Sequence, residues 1–317
     1  MTETTTTTAG IDTSKAWLDM AIHGSADHRR FANDGPGWQA LAAELAKAGV
    51  GRVGIEATGG YERGAASHLR QAGFTVLVLQ PLQVRAYAKV RLRRAKNDVL
   101  DAALIAACAA TLDPPEIAGD CRLTGLAGLL TFVEQTEDDI ARLKVRLEHV
   151  DDPRQRRLLL NDITRLKARR RAELRRIADQ LRAHDDLASR LDLVLSIPGI
   201  GERTAIALVV RLPELGKIGR GQIAALAGLA PFDADSGTHK GQRHIAGGRA
   251  RIRRSLYAAA LPAAFHWNPP LKAFYARLLA RGKSHTATLT ACARKLLIYA
   301  NTVVSRQTPW TEKTAEA

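Results

Sequence analysis

Apolar positions along the first eighty residues follow two alternating periods. In GIDTSKAWLDMAIHG the apolar residues flank a short polar turn, which predicts a strand from Ile11 and a hairpin return through Trp17. RVGIEATG reads as a buried strand ending at Glu56, and ERGAASHLRQAG shifts to helical spacing closed by Gly73. FTVLVLQP returns to a strand stopped by Pro81. Strands alternating with helices make this part an α/β domain. Asp12 and Glu56 fall at or just past the ends of apolar β segments, where open α/β sheets tend to place their sites.

From residue 123 to 192 the period is helical throughout and the segment is rich in charge. An antiparallel helical hairpin is expected, turning near Asp151-Asp152-Pro153, with Leu and Ile on the inner stripe and Arg outside. Beyond it, LSIPGIGERTAIAL opens a third region of helices broken by Gly and Pro, with an irregular loop at 231–248. The resulting division is a tail at 1–9, an α/β domain at 10–120, a helical hairpin or coiled coil at 121–192, a mainly helical domain at 193–308 and a tail at 309–317.

Composition narrows the partner class. Forty-seven Lys and Arg against thirty-two Asp and Glu give a net charge of +15, a field that attracts polyanions. Cys108, Cys121 and Cys292 are far apart and lack the spacing of a zinc site or a disulfide framework, which fits a reducing cytosol. The start, MTETTTTTAG, lacks the order of a signal peptide, and apolar runs such as 102–110 are short of a bilayer span. A cytoplasmic protein with no membrane partner is expected.

Candidate chemistry begins in RRAKNDVLDAALIA. Asp98 can cap the helix that follows and Asp101 can favour its dipole, while the i, i+3 spacing sets both carboxylates on one helix face. With Asp12 and Glu56 they make four carboxylates in the order Asp, Glu, Asp, Asp, a set that would repel without cations and suits two Mg2+ ions acting on a phosphodiester. Immediately before them, RAYAKVRLRRAKN carries a basic run including Arg91, Arg93, Arg94 and Lys96; it is either a solvated face or an approach for phosphates.

Two further stretches concern phosphate chemistry. SIPGIGERTA has the form of a helix-hairpin-helix turn in which Gly199 and Gly201 either contact phosphate or serve the tight turn alone. DADSGTHKGQRHIAGGRARIRR places Ser236 in a Gly-flanked loop ahead of Lys240, Arg243, Arg249, Arg251, Arg253 and Arg254. A polar turn before a basic helix explains this composition, Thr238 is a competing hydroxyl, and no local residue is an obvious base for Ser236.

GIDTSK, IEATGGYE, KNDVLDAALIA, SIPGIG, ALAGLAPFDADSGTHKGQRHI and HWNPPLKAFYARLLARGKSHTATLTACARKLL together resemble, in order and over residues 11–305, the insertion-sequence transposases of the IS110 family, the DEDD or bridge-RNA-guided recombinases. The resemblance implies a RuvC-like ribonuclease-H fold domain, a helical coiled-coil insertion and a C-terminal transposase domain. It implies that Asp12, Glu56, Asp98 and Asp101 are an acidic tetrad binding Mg2+ and that Ser236 is a nucleophile forming a covalent ester with DNA. It also implies donor and target DNA and a non-coding bridge RNA as partners, and a homo-oligomer, dimer to tetramer. One departure is Ala246, which stands before Gly247-Gly248 where many relatives have lysine. Two other functions fit the residues alone: a RuvC-like, metal-dependent nuclease or junction resolvase using water, and a nucleic-acid-binding protein without catalysis.

Overall fold

Strand β1 (Thr7–Thr13) is the centre of the first part of the molecule. The computed structural model describes residues 7–91, 98–113, 120–232 and 244–311, and the chain divides into two units, Met1–Ala118 and Gly119–Ala317. In the first, β1 is followed by β2 (Trp17–Ile22), β3 (His28–Ala32), α1 (Gly35–Lys47), β4 (Val50–Glu56), α2 (Glu62–Gln71), β5 (Thr75–Leu79), α3 (Pro81–Val90) and α4 (Asp98–Ala110). The sheet order is β3-β2-β1-β4-β5, with antiparallel pairing through β3, β2 and β1 and parallel pairing through β1, β4 and β5.

Alternation along the strands sends side chains to two covered faces. Ile11, Met20, Val53 and Ile55 bury one face in a core with Leu41 and Leu45 of α1 and Leu69 of α2. Helix α1 is started by Asp34, whose Oδ1 accepts the Gly37 amide at 2.9 Å. On the opposite face the sheet presents Gly10 and Gly54, and α4 lies directly on them. A Cβ on Gly10 would stand 2.2 Å from the Ala106 nitrogen and 2.3 Å from the Ala102 oxygen, while one on Gly54 would stand 2.5 Å from the Ala109 Cβ. Ala102, Ile105, Ala106 and Ala109 are fully buried there. Ile105 alone contributes about 1.5–3 kcal/mol by leaving water.

The direction of α4 follows from its contacts. Arg52, early in β4, donates to the Leu112 oxygen at 3.1 Å, just past the C-terminal end of α4. Gly54 meets Ile105 and Ala109. The helix therefore runs antiparallel to β1 and β4, and its first turn lies toward their carboxyl ends.

The second unit is almost entirely helical: α5 (Cys121–Glu148), α6 (Pro153–Arg182), α7 (Asp185–Leu195), α8 (Glu202–Arg211), α9 (Arg220–Leu226), α10 (Ala250–Pro262), a single π turn (Ala263–Trp267), α11 (Pro269–Ala280) and α12 (His285–Arg306). A two-residue ribbon, β6 (Pro231–Phe232) with β7 (His244–Ile245), interrupts it. The expected hairpin is present: Asp152 caps α6 through the Gln155 amide at 2.8 Å, Pro153 opens the helix, and Arg156 donates to the Leu147 and Val150 oxygens to close the end of α5.

Three details depart from the sequence reading. β1 starts at Thr7, so the expected tail at 1–9 loses Thr7, Thr8 and Ala9 to the sheet, where Thr8 and Ala9 are buried. The long second hairpin helix breaks at His184, which is extended at φ −127° and ψ 118°, and restarts with Asp185 and Asp186 in the first turn of α7, where acids favour the helix dipole. No core boundary stands at 192/193: Leu130 of α5, Ile177 of α6, Leu208 of α8 and Leu296 of α12 belong to one continuous core. Among the described residues no helix is long and apolar enough to cross a membrane.

Gly10→Ala is expected to lower the thermal midpoint, at a cost of about 1–3 kcal/mol, because the new methyl meets helix backbone that cannot rotate away. Gly128→Ala, with open space at its Cβ on α5, should instead be neutral or stabilise by up to about 1 kcal/mol. Calorimetric scans compare them. An unshifted midpoint for Gly10→Ala would contradict the close helix–sheet contact.

Candidate active site

The parallel register places Ile11 opposite Ile55, so Asp12 and Glu56 follow at the same level on neighbouring strands. Both lie on the face covered by α4, since Asp12 is two residues from Gly10 and Glu56 two from Gly54. Asp12 Oδ1 accepts the Thr13 amide at 2.9 Å. Directly across the antiparallel pair from Asp12 stands Asp19, a buried carboxylate that the motif reading passed over. Arg30 holds Asp19 with two hydrogen bonds at 2.9 and 3.0 Å, and the His28 ring nitrogen is 3.2 Å away. Asp19 is thereby a neutralised neighbour. It was hidden in the sequence because its partner lies on the far side of a hairpin.

The two loops that leave these strands are tied together. Asn33 Nδ2 donates to the Ser14 oxygen at 2.9 Å and to the Tyr61 oxygen at 3.1 Å, one in each loop, and Trp38 Nε1 fixes the amide by donating to Asn33 Oδ1 at 2.8 Å. Glu62 Oε2 accepts the Thr58 and Gly60 amides at 3.1 and 2.9 Å, shaping the turn just after Glu56. Asn33 and Glu62 thereby fix the loops that follow Asp12 and Glu56.

Helix α4 begins with Asp98 as its first helical residue, not as a cap before it, and Asp101 lies one turn on. The antiparallel course of α4 brings this first turn toward the strand ends carrying Asp12 and Glu56. The side chain of Asp98 lies outside the described residues. Among the described residues no three His, Cys, Asp or Glu side chains converge as a complete cation cage. The donors present are carboxylate oxygens on rigid strands and a helix start, the chemistry a hard divalent cation prefers.

Helix α3 carries the start of the basic run. Arg91 follows its last residue, stacks its guanidinium 5.5 Å from the Tyr87 ring centroid and donates to the Tyr87 hydroxyl at 3.2 Å. Arg93, Arg94 and Lys96 lie outside the described residues.

In the second unit the SIPGIG turn joins α7 to α8. Gly199 has φ +95°, and a Cβ there would meet the Ala263 Cβ at 2.3 Å, so this glycine serves the turn and its packing. Gly201 precedes α8 with open space at its Cβ. Ser236, Lys240 and Arg243 lie outside the described residues, but the segments up to Phe232 and from His244 are described. The β6–β7 ribbon pins them, and Gly248, at φ +65°, packs so closely on Gly228 that a Cβ would stand 2.2 Å from its nitrogen. Arg253 Nη1 donates to the Gly247 oxygen at 2.7 Å. Beside the ribbon a cleft of about 320 Å³ is lined by Leu229, Ile245, Arg253, Arg254, Tyr257 and Thr290.

The basic candidates near this loop divide by partner. Arg249 grips Glu214 at 2.6 and 2.7 Å. Arg251 bonds Glu134, a carboxylate only 7% exposed that also accepts Arg211 at 3.0 Å. Glu137, one turn further along α5, takes Arg203 at 2.8 Å. Arg249 and Arg251 thus hold α10 to the α8–α9 connection and to α5. Arg254, 70% exposed and 3.8 Å from an exposed Asp138, faces solvent. Burial pushes the Glu214 carboxyl up, but the hydrogen bonds and charge of Arg249 more than reverse this and leave it below its ordinary value. Burial also raises the thiols of Cys108 and Cys292, the latter to about 11, so neither offers a thiolate near neutral pH.

Residues 9–152 match the DEDD transposase family model of IS110, described as a transposase, and residues 191–276 match the Transposase IS116/IS110/IS902 family. Pilin gene-inverting proteins of Moraxella bovis and Moraxella lacunata are each 27% identical over 97% of this chain and 98% of their own length. An uncharacterized 43.6 kDa protein of insertion element IS110 from Streptomyces coelicolor is 34% identical over 43% of this chain and 33% of its own length.

Because the Glu214 carboxyl is depressed in the folded state, its pairing stabilises above the ordinary carboxylate range and is lost as pH falls through the folded value. Glu214→Gln should cost about 1–2 kcal/mol at neutral pH, modest for a broken ion pair because Arg249 keeps access to water. Melting curves across acidic pH should show the gap between wild type and variant narrowing. A gap that widened on acidification would reverse the assigned sign.

Proposed function

Because the chain belongs to the IS110 family of transposases, enzymes that recombine DNA, we propose that it moves an insertion sequence by cutting and exchanging DNA strands through a covalent ester on Ser236. The observation that carries this reading is the shared carboxyl edge: Asp12 and Glu56 level on adjacent parallel strands, with the first turn of α4 brought toward them. The sheet order and the helix across it are compatible with a ribonuclease-H-like, RuvC-type domain.

Asp12, Glu56, Asp98 and Asp101 would hold Mg2+, two ions on this reading, in accord with the divalent-metal use that the DEDD family suggests. Bound there, Mg2+ supplies Lewis-acid stabilisation for the charge developing on a phosphodiester. The Ser236 hydroxyl attacks phosphorus, forming an O–P bond as the bond to the departing sugar oxygen breaks. The serine proton is released, and the departing oxygen takes up one. An incoming sugar hydroxyl then reverses these changes and regenerates serine. Arg254, Lys240 and Arg243 would meet the phosphates, while Arg249 and Arg251 set the helix behind the loop.

Relatives named for gene inversion favour exchange over hydrolysis. Inversion requires every broken strand to be rejoined, and a serine ester keeps the phosphodiester free energy that water would release. A bridge RNA choosing donor and target by base pairing would leave the protein to read shape and backbone, which suits the net charge of +15. On this reading the chain works as a homo-oligomer, dimer to tetramer.

A denaturing gel of purified protein with element-end DNA, flanking RNA and Mg2+ is expected to show a protein–DNA adduct that Ser236→Ala abolishes. Asp101→Asn should lower adduct formation at least about a hundredfold, the scale of losing one electrostatic contact to a reacting centre. Cleavage without adduct, indifferent to Ser236, would place the protein among hydrolytic nucleases.

A further inference from the structure

The π turn at the end of α10 holds aromatic rings out in solvent. Phe265 is 40% exposed and Trp267 is 66% exposed. Phe265 lies 6.4 Å from the exposed His285 ring and 5.0 Å from the ring of Tyr275, which is itself buried at 9% exposure and whose hydroxyl meets His285 Nδ1 at 2.6 Å from edge-on. The scaffold beneath is rigid. Asn268, 1% exposed, donates to the Pro198 oxygen at 3.1 Å, accepts the Leu271 amide at 3.1 Å, and closes the turn by donating its own amide to the Ala263 oxygen at 3.0 Å. Gly199 packs against Ala263 from the other side. π turns of this kind often mark functional positions. Rigid, half-exposed rings lose water on contact with little further loss of side-chain freedom.

The sequence around this turn has one sign of charge. From residue 236 to 311 the sequence contains no Asp or Glu. Lys272, one turn before Tyr275, and Arg281 and Lys283, just ahead of His285, are exposed and have no acidic partner among the described residues. Flat rings framed by unpaired cations match a strand whose bases are open to stack and whose phosphates need neutralising. A duplex keeps its base faces covered, so it would use the cations alone.

We propose that Phe265 and His285, with Trp267 two residues on in the same π turn, form a stacking platform for an unpaired DNA strand, with Tyr275 holding His285 in place and Lys272, Arg281 and Lys283 on the phosphates. The platform is separate from the Ser236 chemistry; the choice of DNA rests on the chain being a DNA-recombining enzyme.

The test measures fluorescence anisotropy of the full chain with labelled oligothymidylate, a duplex of equal length, and oligouridylate. Chelator in the buffer stops metal-dependent reaction, so a failed adduct assay leaves this result standing. Trp267→Ala should weaken oligothymidylate binding about tenfold, the scale of one lost base stack, and change duplex binding less than about twofold. Trp267→Phe, which keeps a ring, should restore most of the affinity and controls for folding. Unchanged oligothymidylate affinity in Trp267→Ala, an equal loss on duplex, or tighter binding and larger loss with oligouridylate would each overturn the proposal.

Discussion

Contact between the backbone of α4 and the bare faces of Gly10 and Gly54 is the constraint on which the first unit depends. An ordinary helix on a sheet stands off by the depth of two side-chain layers. Here one layer is missing at two adjacent strands, and small alanines fill the other. The helix axis is thus drawn down and its sliding is limited, because each glycine admits only one part of the helix surface. Since Asp12 and Glu56 stand two residues beyond those glycines, the same contact that packs the helix also sets how near its acidic first turn comes to them.

The second unit solves a different problem, the management of excess positive charge. Its arginines differ in what holds them. Arg203, Arg211, Arg249 and Arg251 are held by Glu134, Glu137 and Glu214, partners 35 to 117 residues away in sequence. These pairs knit α5, α8 and α10 together. Arg254 and the cations around α11 are instead exposed to solvent. One acidic residue such as Glu134 therefore determines which of several similar arginines stays open to solvent.

Much of this was legible beforehand. The strands through Asp12, Glu56 and Leu79, the helix closed by Gly73 and the hairpin turn at Pro153 all follow from periodicity and local turn chemistry, which act over a few residues. What stayed hidden depends on distant partners. Asp19 looks like any polar strand residue until Arg30 is folded against it. Arg249 and Arg251 look equivalent to Arg254 until Glu214 and Glu134 are brought beside them. β3 and α1 were obscured by the polar run HGSADHRRFANDG, in which Arg29 and Arg30 serve an edge strand. Gly199, readable as a phosphate contact, is required by its left-handed backbone and by Ala263.

The hairpin of α5 and α6 has a consequence for how the molecule breathes. Each helix is about 42–45 Å long at 1.5 Å per residue. Near its base, Leu130, Val133, Leu174 and Ile177 join the main core, whereas toward the tip only a narrow stripe with Leu159 and Ile163 is covered, and Val145, Leu158 and Leu160 stay in water. Amide protection against hydrogen exchange should consequently decline along the hairpin, highest where it meets the core and lowest beside Pro153. The arm is in effect graded: its tip can open and reclose many times while its root stays shut.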